Sequence, residues 1–590
     1  MAPSQQYSER LAQRERGLIR FDRLHEGMGT ARLLLGLAFV VLAWSCAVRR
    51  TPSPLWLLVP GSLFVAMVLY HQRLRTLRGL AQRSVAFYRE GIERLQGRRV
   101  GHGSPGDRFN DEHHLYGADL DLFGRQSLYD RLCTARTPMG EDVLARWLLA
   151  PADVAMLRER QRCIVELRDR MDLREELAIL GDTPNIALHT QTITKWIEAP
   201  NELSSRWLRF TASSLVALAG ATALIWAIWG AAFPFLLVVV TEAALNYALR
   251  NRVQRCMSGV ENAYEDLKLL SALLRRIEAE TFDTPPLRAL ASKLSSHALP
   301  ASSTLAKLAT IVNFVEARRN PFLAPLMLPL MYTIQSALAA ERWRVSHGHD
   351  VESWLEVLGE IEALESIAGY AFERPEDPFP EFLEGPAAFK ATGLGHPLIS
   401  PATRVRNDVD MSGETRVLLV SGSNMSGKST LLRSVGMNTV LAMAGAPVCA
   451  TRLELTPLQV GASIRTHDSL YEGSSRFYAE ITRLRQLFEP SRLPLLFLLD
   501  ELLQGTNSAD RRIGARGVVR ALIVRGAIGC ISTHDLALTD GTDLREGALR
   551  NVHFQDELAD GKLTFDFKLR AGVVTKSNGI ELMRAIGLEV

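Results

Sequence analysis

The stretch that decides the fold is VLLVSGSNMSGKSTLLRSVGMNTV, residues 417–440. An apolar run precedes Gly422, and four residues later Gly427, Lys428 and Ser429 complete the pattern G-x-x-x-x-G-K-[ST]. Backbone N–H groups of such a loop and the N terminus of the helix after it bind nucleotide phosphates. The flanking strand and helix patterns supply the context that this motif requires. The residues predicted to bind the nucleotide are Gly422, Ser423, Asn424, Met425, Ser426, Gly427, Lys428, Ser429 and Thr430.

A second group of candidate residues follows buried strands further along the chain. LPLLFLLDE, residues 493–501, is an apolar run that ends in Asp500 and Glu501. We expect Asp500 to hold Mg²⁺ beside Ser429, and Glu501 to orient and deprotonate an attacking water. The alternative is a merely charged strand end. In GCISTHD, residues 529–535, His534 is placed to sense or polarise a γ-phosphate, although a strand-end His is often structural.

Between these motifs lies DSLYEGSSRFYAEITRLRQLF, residues 468–488. Gly473, Ser474 and Ser475 are suited to cap a helix that begins at Arg476. A helix N terminus binds anions, so this one can meet a phosphate presented by a second subunit.

Length and composition narrow the classes of protein. A chain of 590 residues exceeds one hydrophobic core, so several domains are expected. The 68 Lys and Arg residues against 65 Asp and Glu give a charge of +3, which does not demand a polyanionic partner. The six cysteines show no C-x-x-C spacing, so neither a disulfide framework nor a zinc site is suggested. His113, His114, Asp119 and Asp121 could suggest a metal site, but their spacing fits no standard ligand set, and we favour a structural role.

Uncharged stretches predict two transmembrane helical hairpins. Leu33 to Val48 and Thr51 to Tyr70 form the first, at about residues 33–70, after a basic helix and before an Arg-rich one. Phe210 to Leu249 contains the second, at about residues 210–249. Arginines flank both hairpins, which places their ends in the cytoplasm. The alternative for the first is a buried soluble hairpin.

Two features of the apolar stretches stay open at this point. Glu242 falls inside the fourth span, where a carboxylate is a functional candidate, but we favour a side chain that reaches the interface. Pro321 to Ala340 is long enough for a fifth span, but it contains three prolines, and an odd number of crossings would put Lys428 outside the cell. We favour a buried or membrane-surface segment there.

The nucleotide motifs resemble those of the MutS family of DNA mismatch-repair ATPases. The similarity covers GHPL at 395–398, SGSNMSGKST at 421–430, GSSRF at 473–477, DELLQGTNSAD at 500–510, STHDLALT at 532–539 and KSNGIELMRAIGL at 576–588. It implies that ATP and Mg²⁺ bind, that Ser475 completes the site in trans within a homodimer, and that residues 505–508 face that interface. Arg476 stands where the family usually has Thr.

The resemblance extends more weakly upstream, where Leu132 to Leu167 is similar to the start of the family's helical core and lever domain. We also expect one long exposed helix over residues 157–180. Nothing before residue 107 resembles the mismatch-reading domain, and the usual dimerisation tail is missing after Val590.

The predicted fold class is an α/β P-loop NTPase domain of the ABC-ATPase type, residues 387–590, following an all-α core/lever domain. The predicted order is residues 1–106 with the first hairpin, 107–375 as the core/lever domain interrupted by the second hairpin, and 376–386 as a Pro-rich linker. The predicted function is a membrane-anchored ATPase in the cytoplasmic membrane that couples ATP hydrolysis to duplex DNA binding, with mismatch repair or damage sensing implied by the resemblance. The alternative is a membrane ATPase, for transport, mechanical work or scaffold switching, with no DNA role.

Overall fold

The computed structural model describes residues 2–49, 53–97, 105–181, 190–201, 203, 206–261, 263–295, 299–316, 330–423, 425–464, 476–503, 506–533, 547–559 and 562–574. Its contacts divide the chain into two units. The helical unit comprises Met1–Leu95, Arg136–Met139 and Met171–Ile361, and the α/β unit comprises Gln96–Ala135, Gly140–Arg170 and Glu362–Val590. The region predicted as one core/lever domain, residues 107–375, is therefore shared between them.

The described helices, in chain order, are α1 (Pro3–Arg49), α2 (Leu58–Leu95), α3 (Leu128–Leu132), α4 (Pro138–Leu149), α5 (Val154–Arg168), α6 (Met171–Gly181), α7 (Thr190–Glu198), α8 (Arg206–Trp229), α9 (Phe233–Met257), α10 (Tyr264–Glu278), α11 (Pro285–Lys293), α12 (Ala301–Glu316), α13 (Tyr332–Glu373), α14 (Lys428–Ala444), α15 (Arg476–Gln486) and α16 (Ser508–Val524). The strands are β1 (Glu381–Phe382), β2 (Phe389–Leu394), β3 (Asn407–Met411), β4 (Val417–Ser421), β5 (Arg452–Leu455), β6 (Gln459–Ser463), β7 (Leu495–Asp500), β8 (Ile528–Thr533), β9 (Leu549–Ala559) and β10 (Lys562–Ala571).

In the helical unit, α1 and α2 form a long antiparallel pair whose polar end packs on α6. Tyr7 of α1 lies against Gly91 of α2, where a Cβ atom would meet its ring at 2.7 Å. Glu175 of α6 is buried and accepts hydrogen bonds from the Tyr88 hydroxyl, at 2.6 Å, and from the Arg14 guanidinium, at 2.7 Å. The first hairpin therefore continues as a packed helical stalk beyond its apolar stretch.

The second hairpin, α8 and α9, is fixed at its polar end. The indole N–H of Trp196, in α7, donates to the carbonyl of Cys256 at the end of α9, at 2.6 Å. Arg344 of α13 donates to the carbonyl of Trp196, at 3.0 Å, and pairs with Glu341, at 2.6 Å. All four side chains are almost fully buried, so the C-terminal end of α9 is held by a compact polar cluster.

Four described helices are long and apolar enough to cross a membrane by length and composition. They are Pro3–Val48, Leu55–Leu95, Trp207–Trp229 and Phe233–Met257. They coincide with the two hairpins expected from the sequence, and membrane insertion itself stays a prediction. Of the stretch 321–340, residues 321–329 lie outside the described part and Tyr332 begins α13.

Two expectations for helical segments are wrong. The single exposed helix over residues 157–180 is two helices, because α5 ends at Arg168 and α6 begins at Met171, and Leu157, Ile164 and Leu167 are buried. Glu242 is completely buried and does not reach an interface. Eight residues of helix, about 12 Å at 1.5 Å per residue, separate it from Arg250, which is too far for its side chain.

The α/β unit confirms the predicted α/β architecture of the C-terminal region. Its larger sheet has the order β10-β9-β4-β8-β7-β6, with β9, β4, β8, β7 and β6 mutually parallel and β10 antiparallel at the edge. A smaller sheet has the order β1-β5-β2-β3. The central strands β4 and β8 are buried along their whole length, as parallel strands covered on both faces must be. This arrangement brings the ends of β4, β7 and β8 to one edge.

The segment after the first hairpin completes the α/β unit. The Ala462 N–H of β6 donates to the Leu115 carbonyl, at 2.9 Å. Asp119 pairs with Arg483 of α15, at 2.9 Å, and Asp121 pairs with Arg433 of α14, at 3.0 Å. Among the described residues no group of three or more metal ligands is found. The ion pairs of Asp119 and Asp121 thus hold this segment against the rest of the α/β unit, which is a structural role.

Candidate nucleotide-binding site

The loop between β4 and α14 contains two glycines that the backbone requires. Gly422 has φ of 151°, and a Cβ atom there would lie 2.8 Å from Ser426 Oγ and 3.1 Å from the Phe554 carbonyl oxygen. Gly427 has φ of 106° and directly precedes the helix. Both conformations favour residues without a side chain. The G-x-x-x-x-G spacing therefore reflects a tight loop that turns back on itself.

The interior of this loop offers unused hydrogen-bond donors. The hydroxyls of Ser423 and Ser426 are buried, and neither has a hydrogen-bond partner within the described part of the chain. The first N–H groups of α14 have no partner inside the helix, as in any helix. Burying donors without acceptors is unfavourable, so the arrangement suits a bound anion.

Lys428 points its ammonium group into the same loop. Its Nζ donates to the carbonyl oxygens of Gly422 and Ser423, each at 2.9 Å, and the side chain is 5% exposed. Burial lowers the pKa of Lys428, and the charges of Glu501 and Asp500 oppose this change. Lys428 is thus positioned beside the candidate phosphate position and near both strand-end carboxylates.

Asp500 and Glu501 are positioned by the neighbouring strand β8. Asp500 lies opposite Ser532 in the sheet register, and the Ser532 hydroxyl donates to its carboxylate. The Glu501 N–H donates to the Ser532 hydroxyl oxygen, at 3.1 Å, and to the Ser532 carbonyl, at 3.2 Å. Glu501 has φ of 51°, a conformation that costs about 1–3 kcal/mol for a residue other than glycine. Ser532 therefore fixes the carboxylate of Asp500 and the backbone of Glu501.

An Mg²⁺ ion fits the donors that the site offers. The hydroxyl of Ser429, in the first turn of α14, and the carboxylate of Asp500 are hard oxygen ligands of the kind that Mg²⁺ prefers. Mg²⁺ usually takes one or two carboxylates, and substrate phosphates and waters complete its coordination. These two residues would hold the ion.

Beside the loop lies a cavity of about 220 Å³ that sequence reasoning did not find. It is mostly apolar, with a few polar groups, which is typical of a small-molecule site. Its lining includes His396, Thr430, Leu431, Phe554 and Phe567. Since Thr430 belongs to the phosphate loop, the cavity continues the candidate nucleotide site, and its volume suits a nucleobase.

His396 presents a hydrogen-bond donor to this cavity. Its Nδ1 accepts the Leu398 N–H, at 3.3 Å, so the neutral ring carries its proton on Nε2. Burial, together with the charges of Arg433 and Arg404, lowers the pKa of His396 to about 4. The imidazole is therefore neutral at physiological pH.

Phe567 reaches the cavity because β10 is irregular. The register of β9 and β10 shifts between Phe565 and Leu569, and Phe567 has φ of 54°. Asn407 fixes this bulge, since its side chain donates to the Phe567 carbonyl, at 3.0 Å, and accepts the Leu569 N–H, at 2.8 Å. The Phe567 ring comes within 3.2 Å of where a Cβ atom on Gly427 would lie. A strand bulge thus directs an aromatic ring over the phosphate loop.

The structure brings together most of the residues that the sequence predicts. Gly422, Ser423, Ser426 and Lys428 form the loop, and Met425 projects from it with 85% exposure. The helix expected to begin at Arg476 does begin there, as α15. Asn424, Gly505, Ser475, His534 and the KSNGIELMRAIGL motif lie outside the described residues, and their roles stay predictions. His396 and Phe567 were missed; GHPL at 395–398 was a signal for the first.

The α/β unit matches known proteins. A family model described as MutS domain V matches residues 418–589. "DNA mismatch repair protein MutS 2" of Halobacterium salinarum is 32% identical over 232 residues, which are 39% of this chain and 27% of that protein. "Endonuclease MutS2" of Thermus thermophilus is 30% identical over 349 residues, 58% of this chain and 44% of that protein. "DNA mismatch repair protein MutS" of Brevibacillus brevis is 31% identical over 263 residues, 43% of this chain and 30% of that protein.

The matches cover less than half the length of each of these relatives. The Thermus thermophilus match is longer than the stretch from residue 418 to 590, so it includes residues upstream of β4. The similarity thus covers the phosphate loop, the strand-end carboxylates and the strand that carries Phe567. These findings support membership of the MutS family, with the family model matching residues 418–589.

Proposed function

We propose that the chain binds and hydrolyses ATP with Mg²⁺ at a site completed by a second copy of itself. The observation that carries the proposal is one sheet edge that combines the phosphate loop, after β4, with Asp500 and Glu501, at the end of β7. Ser532, on β8 between these two strands, donates to the carboxylate of Asp500 and accepts the backbone N–H of Glu501. Nucleotide hydrolysis needs this combination of phosphate binding and an adjacent base.

Each residue has a distinct part in this proposal. Ser423, Ser426 and the first N–H groups of α14 bind phosphate oxygens, and Lys428 exchanges its carbonyl partners for them. Mg²⁺ supplies charge neutralisation on the phosphates when it is bound. Glu501 accepts a proton from the attacking water through its carboxylate. In the cavity, Phe567 packs against the base and the Nε2–H of His396 donates to a ring nitrogen.

The second copy is proposed to contribute Ser475, just before α15. Exposed apolar side chains near the site support an interface, because Met425 is 85% exposed and Tyr478, in the first turn of α15, is 64% exposed. Apolar side chains of this kind are favoured at protein contacts. His534 is proposed to contact the γ-phosphate from the end of β8.

The chain is proposed to reside in the cytoplasmic membrane, with the ATP site in the cytoplasm. Four apolar helices and the arginines that follow them support this location. The names of the relatives support a role in DNA binding, with mismatch repair or damage sensing as its setting. The membrane helices equally favour a second candidate, an ATPase that uses hydrolysis for transport, mechanical work or scaffold switching without DNA.

The hydrolysis proposal is tested with Glu501→Gln. The amide cannot accept the proton of the attacking water, so we expect turnover to fall by about 10²–10⁴-fold while ATP binding is retained. Single-turnover hydrolysis and equilibrium binding of a labelled ATP analogue measure the two properties separately. Glu489→Gln, a change remote from the β7 end, is the control. Unchanged turnover in Glu501→Gln would refute the role of Glu501.

The DNA proposal is tested with the detergent-solubilised full chain and two duplexes, one matched and one mismatched. Binding that weakens with salt would support DNA contact, since phosphate contacts release counterions. Tighter binding to the mismatched duplex would support mismatch repair. Absence of binding in every nucleotide state would leave the membrane ATPase without a DNA role.

A further inference from the structure

Glu242 of α9 is a carboxyl group that the proposed ATPase does not use. It is 0% exposed, and neither of its oxygens has a hydrogen-bond partner in the described part of the chain. It is the one acidic or basic residue from Phe210 to Leu249. Burying a polar group without a hydrogen-bond partner is unfavourable, and burying an isolated charge is far more so. A feature this unfavourable calls for a function.

Among the described residues, helix α8 opposite Glu242 offers it no compensating group. Counted from the turn at Gly230, Glu242 and Ala219 each lie about ten residues away, so the small buried side chain of Ala219 is level with the carboxyl. Thr222, also buried on α8, already donates its hydroxyl to the Leu218 carbonyl, at 2.8 Å. The charged residues of α8 are Arg206 and Arg209, both in its first turn. At the level of the carboxyl, the described part of α8 thus carries the small Ala219 and a Thr222 whose hydroxyl is already used.

One face of α9 provides a polar route to Glu242. Asn246 and Arg250 follow at intervals of four residues, which places all three side chains along the same side of the helix. Asn246 is partly buried, and Arg250 is exposed beside Tyr247. On the other side of Glu242 the same face carries the buried Val238. The polar connection thus runs from Glu242 only toward the Arg250 end.

We propose that Glu242 is a proton-binding site inside the α8–α9 hairpin, occupied when the hairpin is closed and exchanging its proton with water at the Arg250 end past Asn246. The proposal depends on the membrane insertion proposed above. The carboxylic acid releases one proton to become a carboxylate, and the carboxylate needs water or a cation that the closed hairpin does not provide. Release of the proton therefore favours opening of the hairpin, and binding favours its closure.

Carbodiimides test this proposal, because they add to a carboxylic acid and rearrange to a stable N-acylurea. The full chain in lipid vesicles is treated with lipid-soluble dicyclohexylcarbodiimide or with a water-soluble carbodiimide, and the modified residue is identified by mass spectrometry. We expect the lipid-soluble reagent to modify Glu242, with a yield that falls from acidic to alkaline pH. The water-soluble reagent should not modify it. Glu242→Gln should lose the modification.

Glu341 is the matched internal control. It is also buried, but Arg344 forms an ion pair with it at 2.6 Å, so we expect Glu341 to remain unmodified. Asn246→Leu should slow the loss of reactivity after a shift to alkaline pH, because it removes the polar step between Glu242 and Arg250. Modification by both reagents at equal rates and at every pH would overturn the proposal, as would no modification of Glu242 at acidic pH.

The failure of this proposal is distinguishable from that of the proposed function. If alkaline carbonate extracts the chain from the vesicles, the membrane insertion is wrong. If the chain stays in the vesicles and Glu242 is not modified, only the proton-binding site is wrong. The Glu501→Gln variant should lose ATP hydrolysis and keep the modification, which separates the ATPase from the hairpin.

Discussion

In two regions of the molecule a serine hydroxyl donates a hydrogen bond to a buried or half-buried carboxylate. The regions differ in how many of the nearby polar groups already have hydrogen-bond partners. In the helical unit, Glu175 accepts from Ser84, Tyr88 and Arg14, so both of its oxygens are occupied. In the α/β unit, Ser532 holds Asp500 and the backbone of Glu501 next to a loop with unpaired hydroxyls. A carboxylate whose oxygens all accept hydrogen bonds within the protein holds helices together. A carboxylate that lies beside hydroxyls without hydrogen-bond partners can act on a ligand that these hydroxyls bind.

The difference also appears in the groups around the two sites. Glu175 lies where α1, α2 and α6 meet, and each helix supplies at least one partner or the carboxylate itself. The nucleotide site contains groups that use only part of their hydrogen-bonding capacity. In His396, for example, Nδ1 accepts a hydrogen bond from the Leu398 N–H, and the Nε2–H is proposed to donate to the nucleobase. Changes in the first region should therefore affect stability, and changes in the second should affect turnover or binding.

The largest effect is expected for Glu175→Ala. Removing the carboxylate leaves Arg14 without its ion-pair partner and the buried Tyr88 hydroxyl without its hydrogen-bond acceptor. The free energy of unfolding should fall by about 3–5 kcal/mol. Hydrogen exchange of α1, α2 and α6 in the full chain measures it, with ATP turnover as the second readout. Glu176→Ala is the control, since the 53%-exposed Glu176 should contribute less than about 1 kcal/mol. Equal exchange in both variants would contradict the assignment.

Ser532→Ala should lower ATP turnover more than it lowers the stability of the helical unit, which is the reverse of the effect expected for Glu175→Ala. The change removes a hydrogen bond to Asp500 and one of the two acceptors of the Glu501 N–H, worth about 1.5–3 kcal/mol, so turnover should fall about tenfold to a hundredfold. Ser532 positions Asp500 and Glu501 and is not proposed to contact the nucleobase, so the KM for ATP should change little. Ser532→Thr keeps the hydroxyl and should restore most of the turnover. A loss of kcat that Thr does not restore would indicate a packing effect.

The sequence predicted those parts of the fold and site that depend on local patterns. Residues 417–440 contain the strand, the loop and the helix without any interruption, and LPLLFLLDE places the carboxylates at the end of β7. The start of α15 at Arg476 follows from the capping residues before it. Such features are encoded within a few residues, so they can be recognised without knowledge of the tertiary structure.

Other features depend on contacts between distant segments. No Gly or Pro marks the turn between α5 and α6, where the Arg170 N–H donates to the Leu167 carbonyl, at 3.0 Å. Phe567 enters the cavity only because Asn407, far away in sequence, fixes the bulge in β10. Glu242 was expected at an interface because it lies near one end of its span in the sequence, whereas packing buries it. These positions are set by tertiary packing.

His396 should make the stability of the α/β unit depend on pH. Its pKa is about 4 in the folded chain against 6.5 for an unperturbed His, so the unfolded chain binds more protons between these values. Stability contributed by this site is therefore present above pH 6.5 and falls as pH decreases toward 4, by about 2 kcal/mol from pH 7 to pH 5. Urea unfolding of the α/β unit within the full chain measures it. His396→Gln should remove this part of the dependence, and an unchanged slope would contradict it.

The smallest effect is expected for Phe567→Ala. Loss of the aromatic contact with the base should weaken ATP binding by about 0.5–1.5 kcal/mol, roughly twofold to tenfold. Binding of inorganic triphosphate, which has no base, should not change, because the loop and Lys428 remain. Phe565→Ala is the matched control, since Phe565 stacks on Phe567 at 6.0 Å but does not line the cavity. Equal weakening of ATP and triphosphate binding would show that Phe567 shapes the phosphate loop and does not contact the nucleobase. Phe567 would then be a positioning residue for the phosphate loop, as Ser532 is for Asp500 and Glu501.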